Sequence, residues 1–196
     1  MVEKCSERSV SMDNGAVCYR RFLDGDDSGF VDIIKDYKDG LILYITGITG
    51  NVHLAEDLAE DTFVKIITKK PRFSGKSTFK TWLYAIGRNV ALDYLRRHSA
   101  VTEVSPEELC ELRSDEELLE KAYIKKEEKI ELHRAMSRLS TSYRQVLWLT
   151  YFEGFSAKEV SSIMGKSVHN VETLLYRARK SLKAELNKEG FVYEGL

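Results

Sequence analysis

The chain has 196 residues, 43% of them hydrophobic and 31% charged, and its 30 Lys and Arg against 31 Asp and Glu leave a net charge of −1. That length allows one medium domain or two small ones, and the composition excludes global disorder and collagen-like or coiled-coil fibres. The longest apolar stretch, Leu41 to Ile48, falls far short of the ~20 residues of a bilayer-spanning helix, and no signal-peptide pattern opens the chain, so a cytoplasmic location is expected.

Only two prolines occur, Pro71 and Pro106, and no convincing period-two strand is visible, so the fold is expected to be all-α. Residues 1–15 are polar and aperiodic and read as a loose tail. A short helix from about Ala16 to Leu23 should end at the turn-like Asp24-Gly25-Asp26-Asp27. Phe30, Ile33, Tyr37, Leu41, Tyr44 and Ile48 then repeat at three and four, as do Ala55, Leu58, Thr62 and Ile66; each set puts apolar groups on one helix face. From Thr78 to Arg97, Phe79, Trp82, Leu83, Ile86 and Val90 share one side while Tyr84, Leu92 and Leu95 lie opposite. A helix apolar nearly all round is a central one.

Residues 99–126 are acidic and weakly periodic and read as a linker. Beyond it, Ile130 to Leu139, Ser142 to Phe152, Ala157 to Met164 and Val168 to about Leu186 form four further helices. The expected organisation is a helical domain over 16–98, a linker over 99–126, a second helical domain over 127–188 and a tail over 189–196. Each domain should have a small core and modest stability.

Three cysteines, Cys5, Cys18 and Cys110, are widely spaced and form no CxxC pair, so they read as plain thiols. The histidines (His53, His98, His133, His169) are scattered, and no metal site or cofactor is expected. Net charge near zero hides a separation along the chain. Lys65 to Arg97 holds nine Lys and Arg and one acid, Asp93, whereas Val101 to Glu120 holds eight acids and one base, Arg113. Such a split marks a basic surface with a task, an acidic tether, or merely solvated helix faces.

The C-terminal motif is the most specific. Glu153-Gly154-Phe155 has the form of a helix end, and Ser156-Ala157-Lys158-Glu159 that of a capping box opening the next helix. Gly165-Lys166-Ser167 is a tight turn whose serine can cap a long helix. In that helix Val168, Val171, Leu175, Ala178 and Leu182 fall on one face, and His169, Asn170, Thr173, Arg177 and Lys180 on the other. A short helix, a glycine turn and a long helix with basic groups outward is a helix-turn-helix; the alternative is two packed helices with a solvated face.

Two weaker signals lie upstream. In Lys69 to Trp82, KKPRFSGKSTFKTW, cations interleave with aromatics around a Pro/Gly/Ser loop, as a surface for unstacked single strands requires, although Phe79 and Trp82 also fit the core. In Ala55 to Ile67 four acids, Glu56, Asp57, Glu60 and Asp61, favour either the helix dipole or a basic partner helix. Gly75-Lys76-Ser77 and Gly165-Lys166-Ser167 are not Walker loops, because the earlier glycine and the preceding strand are missing. No nucleophile or metal-carboxylate arrangement is evident, so the chain is not expected to be an enzyme.

Three stretches then carry a family resemblance: AEDLAEDTFVKI (Ala55 to Ile66), FKTWLYAIGRNVALDYLRR (Phe79 to Arg97) and LSTSYRQVLWLTYFEGFSAKEVSSIMGKSVHNVETLLYRARKSL (Leu139 to Leu182). With FLDGDDSGFVDIIKDY (Phe22 to Tyr37) ahead of them, they resemble the extracytoplasmic-function sigma factors of bacterial RNA polymerase. The resemblance implies two all-α domains joined by a flexible linker, and partners in core RNA polymerase and promoter DNA. An anti-sigma partner is left open.

It further implies that Asp57, Glu60 and Asp61 dock on the polymerase. Arg72, Phe73, Ser74, Lys76, Lys80, Arg88, Asn89, Arg96 and Arg97 would engage and melt the minus-ten element. His169, Asn170, Thr173, Arg177, Lys180 and Lys183 would meet the minus-thirty-five element. The recognition helix, which often reads T-V-K-S-R in that family, is here Asn170-Val171-Glu172-Thr173-Leu174, so fewer phosphate contacts are expected. The competing classes are a helix-turn-helix regulator acting without polymerase, a nucleic-acid enzyme and an interaction adaptor.

Overall fold

The computed structural model describes residues 13–102 and 127–188, and every described element is helical. Four helices form the N-terminal module: α1 (Asn14–Leu23), α2 (Asp27–Thr49), α3 (Val52–Lys69) and α4 (Phe79–Thr102). The C-terminal module holds α5 (Glu127–Ser137), α6 (Thr141–Leu147), a widened π-helical turn (Trp148–Phe152), α7 (Ala157–Met164) and α8 (Val168–Lys188).

Local chemistry sets most of these boundaries. Asp13 caps two helices at once: one carboxylate oxygen accepts from the Ala16 amide at 3.3 Å and the other from the Phe79 amide at 2.5 Å. The structure therefore begins α1 two residues earlier than the periodicity suggested, and Asp13 and Asn14 belong to the fold rather than to a loose tail. Asp26 caps α2, and Asn51 caps α3 by accepting from the Leu54 amide at 2.9 Å. Helix α4 runs four residues past the expected boundary at 98. Its Ser-Ala-Val-Thr extension contains no proline or glycine, and the next breaker is Pro106. The rest of the expected linker, both end tails, Cys5 and Cys110 lie outside the described residues. Cys18 is a buried, unbridged thiol.

The central helix buries Phe79, Leu83, Tyr84, Ala91 and Leu95 in the core, while Trp82, Ile86, Val90 and Leu92 are half-buried against it. The two modules, however, do not keep separate cores. One continuous buried cluster runs from Cys18 to Leu186, with α4 packed on α7 and α2 packed on α6. The Tyr84 and Phe155 rings meet edge-to-face at 5.2 Å across that boundary. Burying apolar surface is the main source of cohesion in small domains, so the pairing adds to what each module could bury alone. No helix among the described residues is long and apolar enough to cross a membrane, and they contain no group of three metal-ligating side chains.

Candidate nucleic-acid and polymerase interfaces

The helix-turn-helix is assembled as its motif requires. Ser156 and Glu159 close a reciprocal capping box: the serine hydroxyl accepts from the Glu159 amide, and the Glu159 carboxylate accepts from the Ser156 amide at 3.0 Å. Gly165 turns the chain with φ +63°, a conformation few other residues adopt cheaply. Ser167 then accepts from the Asn170 amide at 3.2 Å and opens α8. Val171, Ala178, Leu182 and Leu186 are buried. His169, Asn170, Arg177, Lys180 and Lys183 are exposed, and Thr173 is half-buried beside them.

Val168, expected on the inner face, is exposed because the first residue of α8 stands beyond the turn, past the reach of α7. Sequence reasoning missed Tyr176, whose side chain is 63% exposed on the outer face. Its register, three residues after Thr173 and four before Lys180, was the available signal.

The loop between α3 and α4 is pinned by aromatics. Lys70 leaves α3 in a left-handed conformation with φ +42°, and its ammonium lies 4.9 Å from the centre of the Phe22 ring. The Tyr19 hydroxyl donates to the Pro71 carbonyl at 2.8 Å. Phe73 is half-buried, its ring 5.4 Å from Trp82 and 5.8 Å from Phe79. This clamp leaves Arg72, Ser74 and Lys76 exposed on a held loop. Asn89, Arg96 and Arg97 are exposed along α4; Arg96 pairs with Asp93 at 3.2 Å, and Arg97 donates to the Asp93 carbonyl at 3.1 Å.

The remaining two residues of this set face the other module. Lys80 Nζ lies 2.8 Å from a Glu153 carboxylate oxygen and donates to the Glu153 carbonyl at 3.0 Å. Arg88 Nε donates to Gln145 Oε1 at 2.9 Å.

On α3 the acids Asp57, Glu60 and Asp61 are exposed, and Glu60 makes a long contact of 3.7 Å with half-buried Lys38. Val64 and Ile67 continue the same exposed stripe. Their position seven residues after Asp57 and after Glu60 could have marked them in the sequence. An acidic stripe carrying apolar side chains suits a partner helix with cations around an apolar seam.

Comparison with known proteins matches the Sigma-70 region 2 model over residues 33–101 and the Sigma-70 region 4 model over residues 129–182. The chain is 30% identical to the ECF RNA polymerase sigma factor SigW of Bacillus subtilis (strain 168) over 170 residues, covering 83% of this chain and 91% of SigW. It is 31% identical to SigM of the same organism, an ECF RNA polymerase sigma factor, over 157 residues, covering 80% of this chain and 94% of SigM. Among solved structures, the chain has the fold of CnrH in its complex with the cytosolic domain of CnrY, with a TM-score of 0.66 and 22% identity over 89% of this chain and 98% of that one. It also has the fold of RpoE bound to the anti-sigma factor NepR from Bartonella quintana, with a TM-score of 0.63 and 21% identity over 81% of this chain and 96% of that one.

Proposed function

The chain belongs to the extracytoplasmic-function sigma factors, which bind core RNA polymerase and direct promoter recognition, and on that premise we propose which of its residues meet the polymerase and which meet the promoter. Members of this family are transcription initiation factors and not enzymes in themselves.

Asp57, Glu60 and Asp61, with Val64 and Ile67 beside them, form the polymerase-docking stripe of α3. The exposed loop residues Arg72, Ser74 and Lys76, with Asn89, Arg96 and Arg97 on α4, hold the minus-ten strand, and Lys80 and Arg88 extend that surface once they are released from the C-terminal module. Cations on a strand-binding face follow the phosphates, and a captured unstacked base returns ~1–3 kcal/mol against an unpairing cost of similar size. Phe73 acts from beneath, by fixing the loop against Trp82 and Phe79.

The outer face of α8 enters the major groove at the minus-thirty-five element. Asn170, Thr173 and Arg177 reach base edges, His169 and Tyr176 flank them, and Lys180 and Lys183 set register on phosphates. The observation that carries this assignment is the exposure of His169, Asn170, Tyr176, Arg177, Lys180 and Lys183 along one face, with Arg177, Lys180 and Lys183 making no hydrogen bond or ion pair among the described residues. An anti-sigma partner is part of the same proposal, since the fold matches that of the sigma factor RpoE held in a complex with the anti-sigma factor NepR.

Footprinting of a promoter with core polymerase and the chain tests the assignment. Two protected segments are expected, the upstream one weakened by Arg177→Ala and the downstream one by Lys76→Ala. Protection of a single segment, or footprints unchanged by both substitutions, would overturn it.

A further inference from the structure

Helix α1 and its capping Asp13 supply none of the side chains placed on promoter or polymerase, yet they hold both ends of the loop between α3 and α4. The near end is strained. Lys70 is the one non-glycine residue with positive φ among the described residues, at φ 42° and ψ 55°. A left-handed lysine persists only where its surroundings hold it, and such residues gather at functional sites. The holding groups here come from α1. The Phe22 ring lies under the Lys70 ammonium, and the Tyr19 hydroxyl donates to the carbonyl of the next residue, Pro71, at 2.8 Å.

Tyr19 is aimed by packing. The residue is 1% exposed, with its ring centre 5.5 Å from that of Phe79 and 5.3 Å from that of Trp82. A buried tyrosine needs a partner for its hydroxyl, and the loop backbone is that partner.

The far end is held by Asp13. One carboxylate oxygen caps α1 through the Ala16 amide, and the other takes the Phe79 amide, where the loop becomes α4. Gly15 permits the approach: a Cβ there would stand 2.5 Å from Phe79 Cδ1 and 2.6 Å from the Tyr37 hydroxyl oxygen. Asp13 and Tyr19 are six residues apart, or roughly 9 Å along a helix axis. One rigid helix thus fixes the separation of the two loop ends. Between them Arg72, Ser74 and Lys76 are exposed, in backbone without regular structure.

We propose that Tyr19 and Asp13 are positioning residues for minus-ten recognition: without touching DNA, they set the spacing of the loop ends and so the shape in which the loop receives the promoter strand. This rests on the minus-ten assignment made above. A loop released at one end must be ordered when the strand binds, and that ordering opposes capture of a base. Attraction of cations to phosphates needs no such shape and carries no sequence information. Loosening the loop therefore erodes discrimination between bases more than it erodes general attraction to DNA.

The test uses the full chain, core polymerase and two promoter libraries, one randomised through the minus-ten element and one through the minus-thirty-five element, with transcripts counted by sequencing. Tyr19→Phe keeps the ring and removes the hydroxyl. Asp13→Asn leaves one carboxamide oxygen for two amides; thermal melting confirms that both variants fold. Each is expected to lower preference for the favoured minus-ten sequences at least threefold, with minus-thirty-five preference unchanged. Parental minus-ten preference in Tyr19→Phe would overturn the proposal. So would an equal loss of preference in both libraries, because a merely structural role would produce it. Lys76→Ala, within the loop, is expected to lower transcript yield from every minus-ten sequence. Unchanged yield would overturn the minus-ten assignment and this proposal with it, whereas a response to Lys76→Ala without one to Tyr19→Phe overturns the role of α1 alone.

Discussion

Arg88 and Gln145 are joined by a single bond, guanidinium Nε to amide Oε1 at 2.9 Å, linking α4 to α6 across 57 residues of sequence. The Tyr44 hydroxyl donates to the same oxygen at 3.3 Å, and both Tyr44 and Gln145 are buried. Gln145→Leu would strand a hydroxyl and a guanidinium together, at an expected cost of ~1–3 kcal/mol in urea unfolding. In a Tyr44→Phe background the cost should shrink, because one stranded donor is already gone. Additive losses would show that the oxygen is not shared.

The docking stripe gives a prediction about the polymerase. Asp57, Glu60 and Asp61 are exposed, so reversing one charge should leave folding intact while replacing an attraction with a repulsion. Asp57→Lys is expected to lower affinity for core polymerase by roughly tenfold, or ~1.4 kcal/mol. Titration of labelled chain with core polymerase measures it; unchanged affinity would remove α3 from that interface.

On the recognition helix, Glu172 is exposed and makes no hydrogen bond or ion pair among the described residues. A carboxylate facing the groove repels phosphates and releases no counterions. Glu172→Lys should therefore tighten duplex binding and steepen the slope of log affinity against log salt by about 1. Arg177→Ala should do the reverse and lose ~1–3 kcal/mol of discrimination at one base position. Binding to duplex DNA at several salt concentrations checks both slopes.

Glu159 links stability to pH. Burial works against its ionisation, but hydrogen bonds from Ser156, Thr81 and Thr78 outweigh that and hold it below the ordinary value of 4.5. A depressed folded-state pKa contributes stability above the ordinary value and loses it as pH falls through the folded one. Glu159→Gln should thus melt at a lower temperature than the parent at pH 7, with the gap narrowing once pH drops below 4.5. A gap independent of pH would contradict the role of the charge.

What was legible in the sequence was what is local. Each helix advertised itself through its own apolar spacing, and Ser156, Glu159, Gly165 and Ser167 act within a few residues of their positions, so the helix-turn-helix could be read directly. The outward face from His169 to Lys180 followed from the same periodicity. The widened turn at Trp148 to Phe152 could not be read, because no proline or glycine precedes it. It shows only in the structure, where the Glu153 amide bonds to the Trp148 carbonyl five residues back at 3.1 Å.

Least legible was the pairing of modules. Lys80 and Arg88 look like free cations in the sequence, and their partners Glu153 and Gln145 lie 73 and 57 residues away. Such contacts depend on the shapes of two assembled surfaces, which no local pattern encodes. Asp13 was missed for the same reason, since half of its capping work is on a helix 66 residues downstream.

Run-off transcription by purified core polymerase, over a mixed library of promoter fragments and with or without this chain, bears most directly on the whole picture. A discrete set of start sites that depends on the chain is expected, lost when Arg177→Ala is combined with Lys76→Ala and core binding is intact. Transcripts identical in the presence and absence of the chain would contradict promoter selection by these two modules.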